Sequence, residues 1–125
     1  MAEITHGTDF ELLHEVSRYR VNLLLIGAAP RLDALLERIK RLAESPIGVC
    51  AMPGRLTLPD AGSVLLRDVA ALSRHQQEML MRWMNERRTR VQIISASSQR
   101  LFNRVKARLF NDQLYYRLNT VLIYV

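Results

Sequence analysis

An α/β fold with a largely parallel sheet is what this sequence predicts, and three observations carry the expectation. Short apolar runs recur along the chain: "VNLLLIG", "IGVCAM", "SVLLRDV", "VQIISAS" and "TVLIYV". Each is of strand length with a mainly apolar centre, the pattern of strands covered on both faces. Between most of them lie stretches with apolar residues at helical spacing, which argues crossover helices on the two faces of a sheet. At 125 residues the chain is read as a single domain, 1–125, large enough for a real core.

In chain order, Thr8-Asp9-Phe10-Glu11 is a capping-box pattern and predicts a short helix to about Ser17. The first strand, "VNLLLIG", ends at Gly27. From Arg31 the residues Leu32, Leu35, Leu36, Ile39 and Leu42 recur at helical spacing, so "RLDALLERIKRLAE" is an amphipathic helix, with Pro46 marking its exit. "IGVCAM" is the second strand, stopped by Pro53-Gly54, and "SVLLRDV" the third, after the turn Asp60-Ala61-Gly62. Only about ten residues separate these two strands, the lower limit for a parallel crossover, so a bare loop is expected there. Ser73 caps a long helix, "RHQQEMLMRWMNERR", whose Met79, Leu80, Trp83 and Met84 form one face and read as core. "VQIISAS" is strand four, "QRLFNRVKARLF" and "DQLYYRL" are helical, and "TVLIYV" is strand five. Because Val121 to Val125 is apolar throughout except Tyr124, it is expected inside the sheet and not as a frayed end.

Composition narrows the function classes. An apolar fraction of 49% and a charged fraction of 24% are those of an ordinary globule. No apolar run approaches the ~20 residues of a membrane-spanning helix, and "MAEITHGTDF" lacks the pattern of a secretory signal. The single cysteine, Cys50, has no intrachain partner, which fits a reducing cytoplasm. A formal charge of +6 would suit an acidic partner or nucleic acid. The arginines are scattered, however, and the one compact basic run, "NERRTR" from Asn85 to Arg90, has no aromatic stacking platform beside it. It reads as a solvated helix end, so nucleic-acid binding through this chain is the weakest of the function readings. His6, His14 and His75 have no metal-ligand spacing with one another or with Cys50, and no nucleophile motif is visible, so no cofactor, metal or catalytic residue is expected.

The end of the chain carries a resemblance. "NDQLYYRLN" is similar to the "FREDLYYRLN" signature of the ATPase domain of sigma-54-dependent bacterial transcription activators, a branch of the AAA+ family. "AGSVLLRDVAALSRHQQEMLMRWMNER", "VQIISASSQRLFNRVKARLF", "IGVCAMPG" and "LLLIGAAPRLDALL" resemble successive segments of the same domain. The likeness runs from about Val21 to Val125 and is strongest over 61–125. It implies a three-layer core of the P-loop NTPase type, with a five-stranded, largely parallel sheet ordered 5-1-4-3-2. The family's helical lid domain is expected to be absent, since the sequence stops at strand five.

The family's working parts fall on unsuitable residues. A phosphate-binding loop needs glycines whose backbone N–H groups wrap the phosphates and a lysine to reach them. The matching positions run Gly27, Ala28, Ala29, Pro30, Arg31, Leu32, Asp33 and Ala34, with Asp33 at the lysine position. A carboxylate ~4 Å from a phosphate repels it by roughly 4 kcal/mol at an effective dielectric of 20. The family's acidic pair, which organises Mg²⁺ and activates water, is matched by Arg67 and Asp68, and arginine cannot ligate the ion. Ser98 stands at the sensor asparagine. Of a pair of arginines, the first is matched by Asn111 and the second is kept as Arg117, for which a partner contact or a structural salt bridge is expected. "PGRLTLPDAG" contains nothing like the "GAFTGA" loop that contacts sigma-54.

The exchanged signs at Asp33 and Arg67 predict a salt bridge across the empty pocket, with Asp33 in the first helical turn. Together these residues imply a pseudo-ATPase module that works by protein association in sigma-54-type bacterial regulation, its partner a homologous AAA+ activator or a second copy of itself. The alternative is a divergent ATP-binding regulator domain.

Overall fold

The computed structural model describes the backbone of residues 2–5 and all of residues 20–86 and 90–125. The strands are β1 (Ala2–Thr5), β2 (Leu23–Ile26), β3 (Ile47–Ala51), β4 (Ser63–Arg67), β5 (Gln92–Ser97) and β6 (Val121–Tyr124). The helices are α1 (Ala29–Leu42), α2 (Arg74–Glu86), α3 (Leu101–Lys106) and α4 (Asp112–Leu118), with a 3-10 turn at Val69–Ala71. The strands form one parallel sheet in the order β1-β6-β2-β5-β4-β3. The five strands expected from the apolar runs thus take the expected order, with β6 lying between β1 and β2. The sixth, β1, was not anticipated: "AEIT" is short and only half apolar, and its pairing with Val121–Tyr124 supplies what its sequence does not signal. The helix expected from Thr8 to Ser17 lies outside the described residues.

Alternation along the strands divides the core into two layers. Leu23, Leu25, Leu65, Ile94 and Ile123 face α1, which answers with Leu32, Leu35, Leu36 and Ile39. Leu24, Val64, Leu66, Ile93 and Leu122 face α2, α3 and α4, which contribute Leu80, Met84, Leu101, Leu114, Tyr115 and Leu118. Each fully buried large side chain is worth ~1.5–3 kcal/mol, so both layers are needed to hold the sheet. No helix among the described residues is long and apolar enough to cross a membrane.

Several element ends differ from the sequence reading for local reasons. α1 begins at Ala29, two residues earlier than expected, because Pro30 is pre-shaped for a first helical turn. β4 stops at Arg67 because Asp68 takes a left-handed conformation, φ 53° and ψ 49°, which turns the chain into the 3-10 segment. The helix expected over "QRLFNRVKARLF" is confined to Leu101–Lys106, since Arg108 adopts φ 62° and Phe110 turns back into the core. β3 and β4 are joined by residues 52–62 with neither helix nor strand, the bare loop that the spacing predicts. Cys50 holds that loop: its Sγ lies 3.3 Å from Thr57 O and 3.4 Å from Thr57 N. At the loop's end Gly62 has φ 81°, and a Cβ there would lie 2.1 Å from Pro46 O, so no other residue fits.

Ser73 does cap α2, reciprocally with Gln76. Gln76 N donates to Ser73 Oγ at 3.1 Å and Ser73 N donates to Gln76 Oε1 at 3.0 Å, a capping box built with glutamine. On α2 the buried residues are Gln77, Leu80 and Met84, while Met79 and Trp83 are only partly covered. The stripe read as core is therefore rotated to include a glutamine. The N-terminal ends of the strands are closed by polar staples. Arg20 Nη2 donates to Gly62 O and Arg90 O, its Nη1 pairs with Glu44 at 2.5 Å, and Asn22 Oδ1 accepts from Ile93 N at 2.9 Å.

Candidate functional site

In an open parallel α/β sheet, ligands bind beyond the carboxyl ends of the strands. Here that edge carries Gly27 after β2, Asp33 on α1, Arg67 and Asp68 at the end of β4, and Ser98 after β5.

The β2–α1 connection is only two residues long, Gly27 and Ala28. Gly27 N donates to Ser97 O at 3.2 Å and Val125 N donates to Ile26 O at 2.7 Å. A Cβ on Gly27 would lie 2.6 Å from Val125 O and 2.9 Å from Val125 Cβ. This glycine is therefore required by the approach of β6, whatever else it does. Ala28 supplies no side-chain cap to α1, and Pro30 in the first turn has no N–H to offer. Arg31 and Ala34, like Ala28 and Ala29, are exposed, whereas Leu32 points into the core.

Asp33 Oδ1 accepts a hydrogen bond from Arg67 Nη2, so the two side chains form an ion pair between α1 and the end of β4. Their side chains are 53% and 39% exposed, a setting in which such a pair is worth ~0–1 kcal/mol. Asp33 is the fifth residue of α1, and the first turn holds no acid. The expected contribution of the helix dipole is corrected accordingly, because that effect fades beyond the first turn. Further along α1, Glu37 is held below the usual carboxylate range, mainly by its hydrogen bond and charge interaction with Lys40, with a smaller contribution from Arg67.

Asp68 and Ser98 lie together. They line a shallow cleft of about 210 Å³ with Met52, Pro53 and Gln99. Both side chains are exposed. Next to them Ser97 Oγ donates to Gln99 O at 2.6 Å and accepts from Gln99 N at 3.1 Å, a turn that fixes the end of β5. The five positions therefore divide into a closed pair, Asp33–Arg67, an adjacent open cleft with Asp68 and Ser98, and a glycine set by packing. Among the described residues no cluster of three histidine, cysteine or acidic side chains could hold a metal. His75 is exposed and Cys50 buried, and His6 and His14 lie outside the described residues.

The second group of residues singled out by sequence sits on the α2–α4 side. Asn111 is the N-cap of α4: its Oδ1 accepts from Leu114 N at 2.9 Å. Arg117 donates to Asn85 Oδ1 at 2.5 Å and to Met84 O at 3.4 Å. It thus binds the C-terminal end of α2, where a cation is favoured, and the expected salt bridge is replaced by hydrogen bonds to a carbonyl and an amide. Of the basic run, Asn85 and Glu86 belong to α2 and Arg90 is exposed, while Arg87, Arg88 and Thr89 lie outside the described residues.

The sequence reading missed Gln77. It is 5% exposed, donates to Leu72 O and Leu109 O at 3.1 Å each, and accepts from Asn111 N at 2.8 Å. It joins α2 to the start of α4 through the N-cap residue itself. A polar residue on the core side of the apolar stripe was the available signal.

The sigma-54 interaction domain family matches residues 32–125. No protein of curated function matches significantly. Among solved structures, NtrX from Brucella abortus in complex with ADP has a TM-score of 0.75 at 19% identity, over 96% of this chain and 36% of that one. The P-loop NTPase domain of a sigma-54 transport activator from E. coli has a TM-score of 0.65 at 17% identity, over 90% of this chain and 96% of that one. A variant of RuvB from Thermotoga maritima has a TM-score of 0.63 at 13% identity, over 95% of this chain and 45% of that one. The chain thus spans little more than a third of the NtrX chain and under half of the RuvB chain.

Proposed function

The chain belongs to the sigma-54 interaction domain family, an AAA+ ATPase-type family, and from that premise we propose that it is a nucleotide-binding-defective module acting by protein association in bacterial sigma-54-type transcription regulation. The Asp33–Arg67 ion pair carries this reading. It sets an acid where the family's lysine would meet phosphate and a base where its aspartate would meet Mg²⁺, and each neutralises the other. The two-residue link from β2 to α1 supports it as well. A loop that wraps phosphates needs several successive free N–H groups in flexible backbone, and here helix and proline take their place.

The partner under this reading is a cytoplasmic protein, a homologous AAA+ activator or a second copy of the chain. Asp68 and Ser98 are then remnants in an unused cleft, and Gly27 is retained for β6. The competing reading, a divergent ATP-binding regulator domain, draws its support from the NtrX structures, which are in complex with ADP or ATP.

One titration separates the two. Fluorescent ATP with Mg²⁺ is expected to show no saturable binding at micromolar concentration, and phosphate release is expected not to exceed a buffer blank. Micromolar Mg²⁺-dependent binding that is lost in Arg67→Ala would establish the divergent ATP binder instead. Co-purification with an intact AAA+ activator then tests the association half of the proposal.

A further inference from the structure

Asn119 carries an unmet polar group into the core. It ends α4, is 1% exposed, and neither its side-chain oxygen nor its nitrogen has a hydrogen-bond partner in the protein. Buried amides are nearly always paired, because an unmet donor or acceptor forfeits its hydration without return. Asn119 lines a hollow of about 390 Å³ at the carboxyl end of β2 and β6, on the face opposite α1. That size is within the range of small-molecule sites, ~300–1,000 Å³.

The remaining walls are of two kinds. Phe102, Tyr115 and Tyr124 supply rings, and Arg100 and Lys106 supply charge, with no carboxylate among the lining residues. The cations lie over two of those rings, Arg100 at 5.1 Å from the Tyr124 centroid and Lys106 at 5.7 Å from that of Phe102. Both are exposed at the rim, free to turn towards an anion. A larger hollow of about 780 Å³ between α2 and the segment from Val105 to Asp112 differs in the decisive respect: its buried amide, Gln77, is hydrogen-bonded to the protein.

We propose that the Asn119 hollow is a binding site for a small planar anion of the mononucleotide class, a flat hydrogen-bonding ring carrying a phosphate. An asparagine amide presents a donor and an acceptor side by side, which suits the edge of a heterocyclic base. The aromatic walls suit its faces, and Arg100 and Lys106 suit the phosphate. The site shares no residue with the Asp33–Arg67 pair and does not depend on the proposed loss of ATP binding.

Calorimetric titration and thermal shift with AMP, GMP, CMP and UMP, without Mg²⁺, test it. At least one is expected to bind, more tightly than its nucleoside and than inorganic phosphate. Arg100→Ala combined with Lys106→Ala is expected to weaken binding about tenfold or more, as removal of charged hydrogen bonds does. Asn119→Leu is expected to abolish binding and raise the melting temperature, since it replaces an unpaired amide by an apolar group of similar size. Arg67→Ala is expected to leave mononucleotide binding unchanged.

The proposal is overturned if none of the four binds at millimolar concentration, or if phosphate alone accounts for the affinity. It is equally overturned if binding survives the Arg100 and Lys106 substitutions, or is lost in Arg67→Ala, which would place the ligand at the other site. A single-stranded oligonucleotide binding far more tightly than any mononucleotide would replace the small ligand by nucleic acid. Should Asn119→Leu fail to fold, the double variant at the rim decides alone.

Discussion

Two regions answer to the same family resemblance and have fared differently. At the β2–α1 edge, Asp33, Arg67, Asp68 and Ser98 are all at least partly exposed, and the contact joining the first two is a surface ion pair. On the α2–α4 side, the "NDQLYYRLN" stretch is anchored in the core along one face of its helix. Leu114, Tyr115 and Leu118 are buried and Arg117 holds the end of α2; Asn111, where the resemblance has an arginine, is exposed and caps α4. A residue whose task is to meet a ligand can change at little cost to folding where, as proposed for this edge, the ligand is no longer bound. A residue whose task is packing cannot. The buried part of α4 is thus more recognisable than the ligand-facing edge for a structural reason, and sharing a motif says nothing by itself about shared chemistry.

If that contrast is right, the largest effects belong to the packed region. Removal of Val121–Val125 takes out a strand flanked on both sides, together with Leu122 and Ile123 at 5% and 1% exposure. At ~1.5–3 kcal/mol per large buried side chain, before the lost ladders are counted, this approaches the whole stability of a small domain. A shortened chain is expected to lose its cooperative thermal transition by circular dichroism. A melting temperature like that of the full chain would place the strand outside the sheet.

Next in size is Gln77→Ala. It strips two carbonyls and the Asn111 N–H of their partner in a largely buried place, and is expected to cost about 3 kcal/mol or more by denaturant titration, given ~1–3 kcal/mol for each of the three groups. A loss below that of an ordinary surface substitution would show that the two sides of the molecule are equally tolerant, and the contrast would fail. Asn111→Ala follows at about 1 kcal/mol, the usual cost of losing a cap. Asn111→Asp, which keeps the acceptor and adds a charge favoured at a helix start, should recover most of it.

Much of this was legible in the sequence. Apolar runs at Leu23–Ile26 and Val64–Leu66 announce strands buried on both faces, because burial on both faces leaves no polar alternation, whereas Gln92–Ser97 is buried throughout although half of its residues are polar. The ion pair was legible too, since a sign exchange at two positions that meet in the family marks them as neighbours. What stayed hidden depends on tertiary partners. β1 is a strand because β6 offers it an edge, and "AEIT" carries almost no signal of its own. Arg108 and Asp68 leave regular geometry where the chain must turn, and neither is a glycine that would have marked the place. Gln77 and Asn119 read as ordinary polar residues, and only the packing around them shows that one is satisfied and the other is not.

The smallest effect is expected at the pair itself, and it bears most directly on the contrast. Asp33 and Arg67 meet on the surface, each with more than a third of its side chain exposed. Their attraction is diluted by water and opposed by the entropy of fixing two side chains, so the coupling measured in a double-mutant cycle with Asp33→Ala and Arg67→Ala should be about 0.2–1 kcal/mol. It should also shrink as salt is raised from low concentration, because exposed charges are screened at a Debye length of ~10 Å in 0.1 M salt. A buried pair would behave otherwise: removing one partner would strand the other and cost ~3–5 kcal/mol. A coupling of that size, insensitive to salt, would mean that the edge had been rebuilt as core and that both regions are held by the same rule. A coupling of zero would leave Asp33 and Arg67 as separate surface changes that touch without depending on each other.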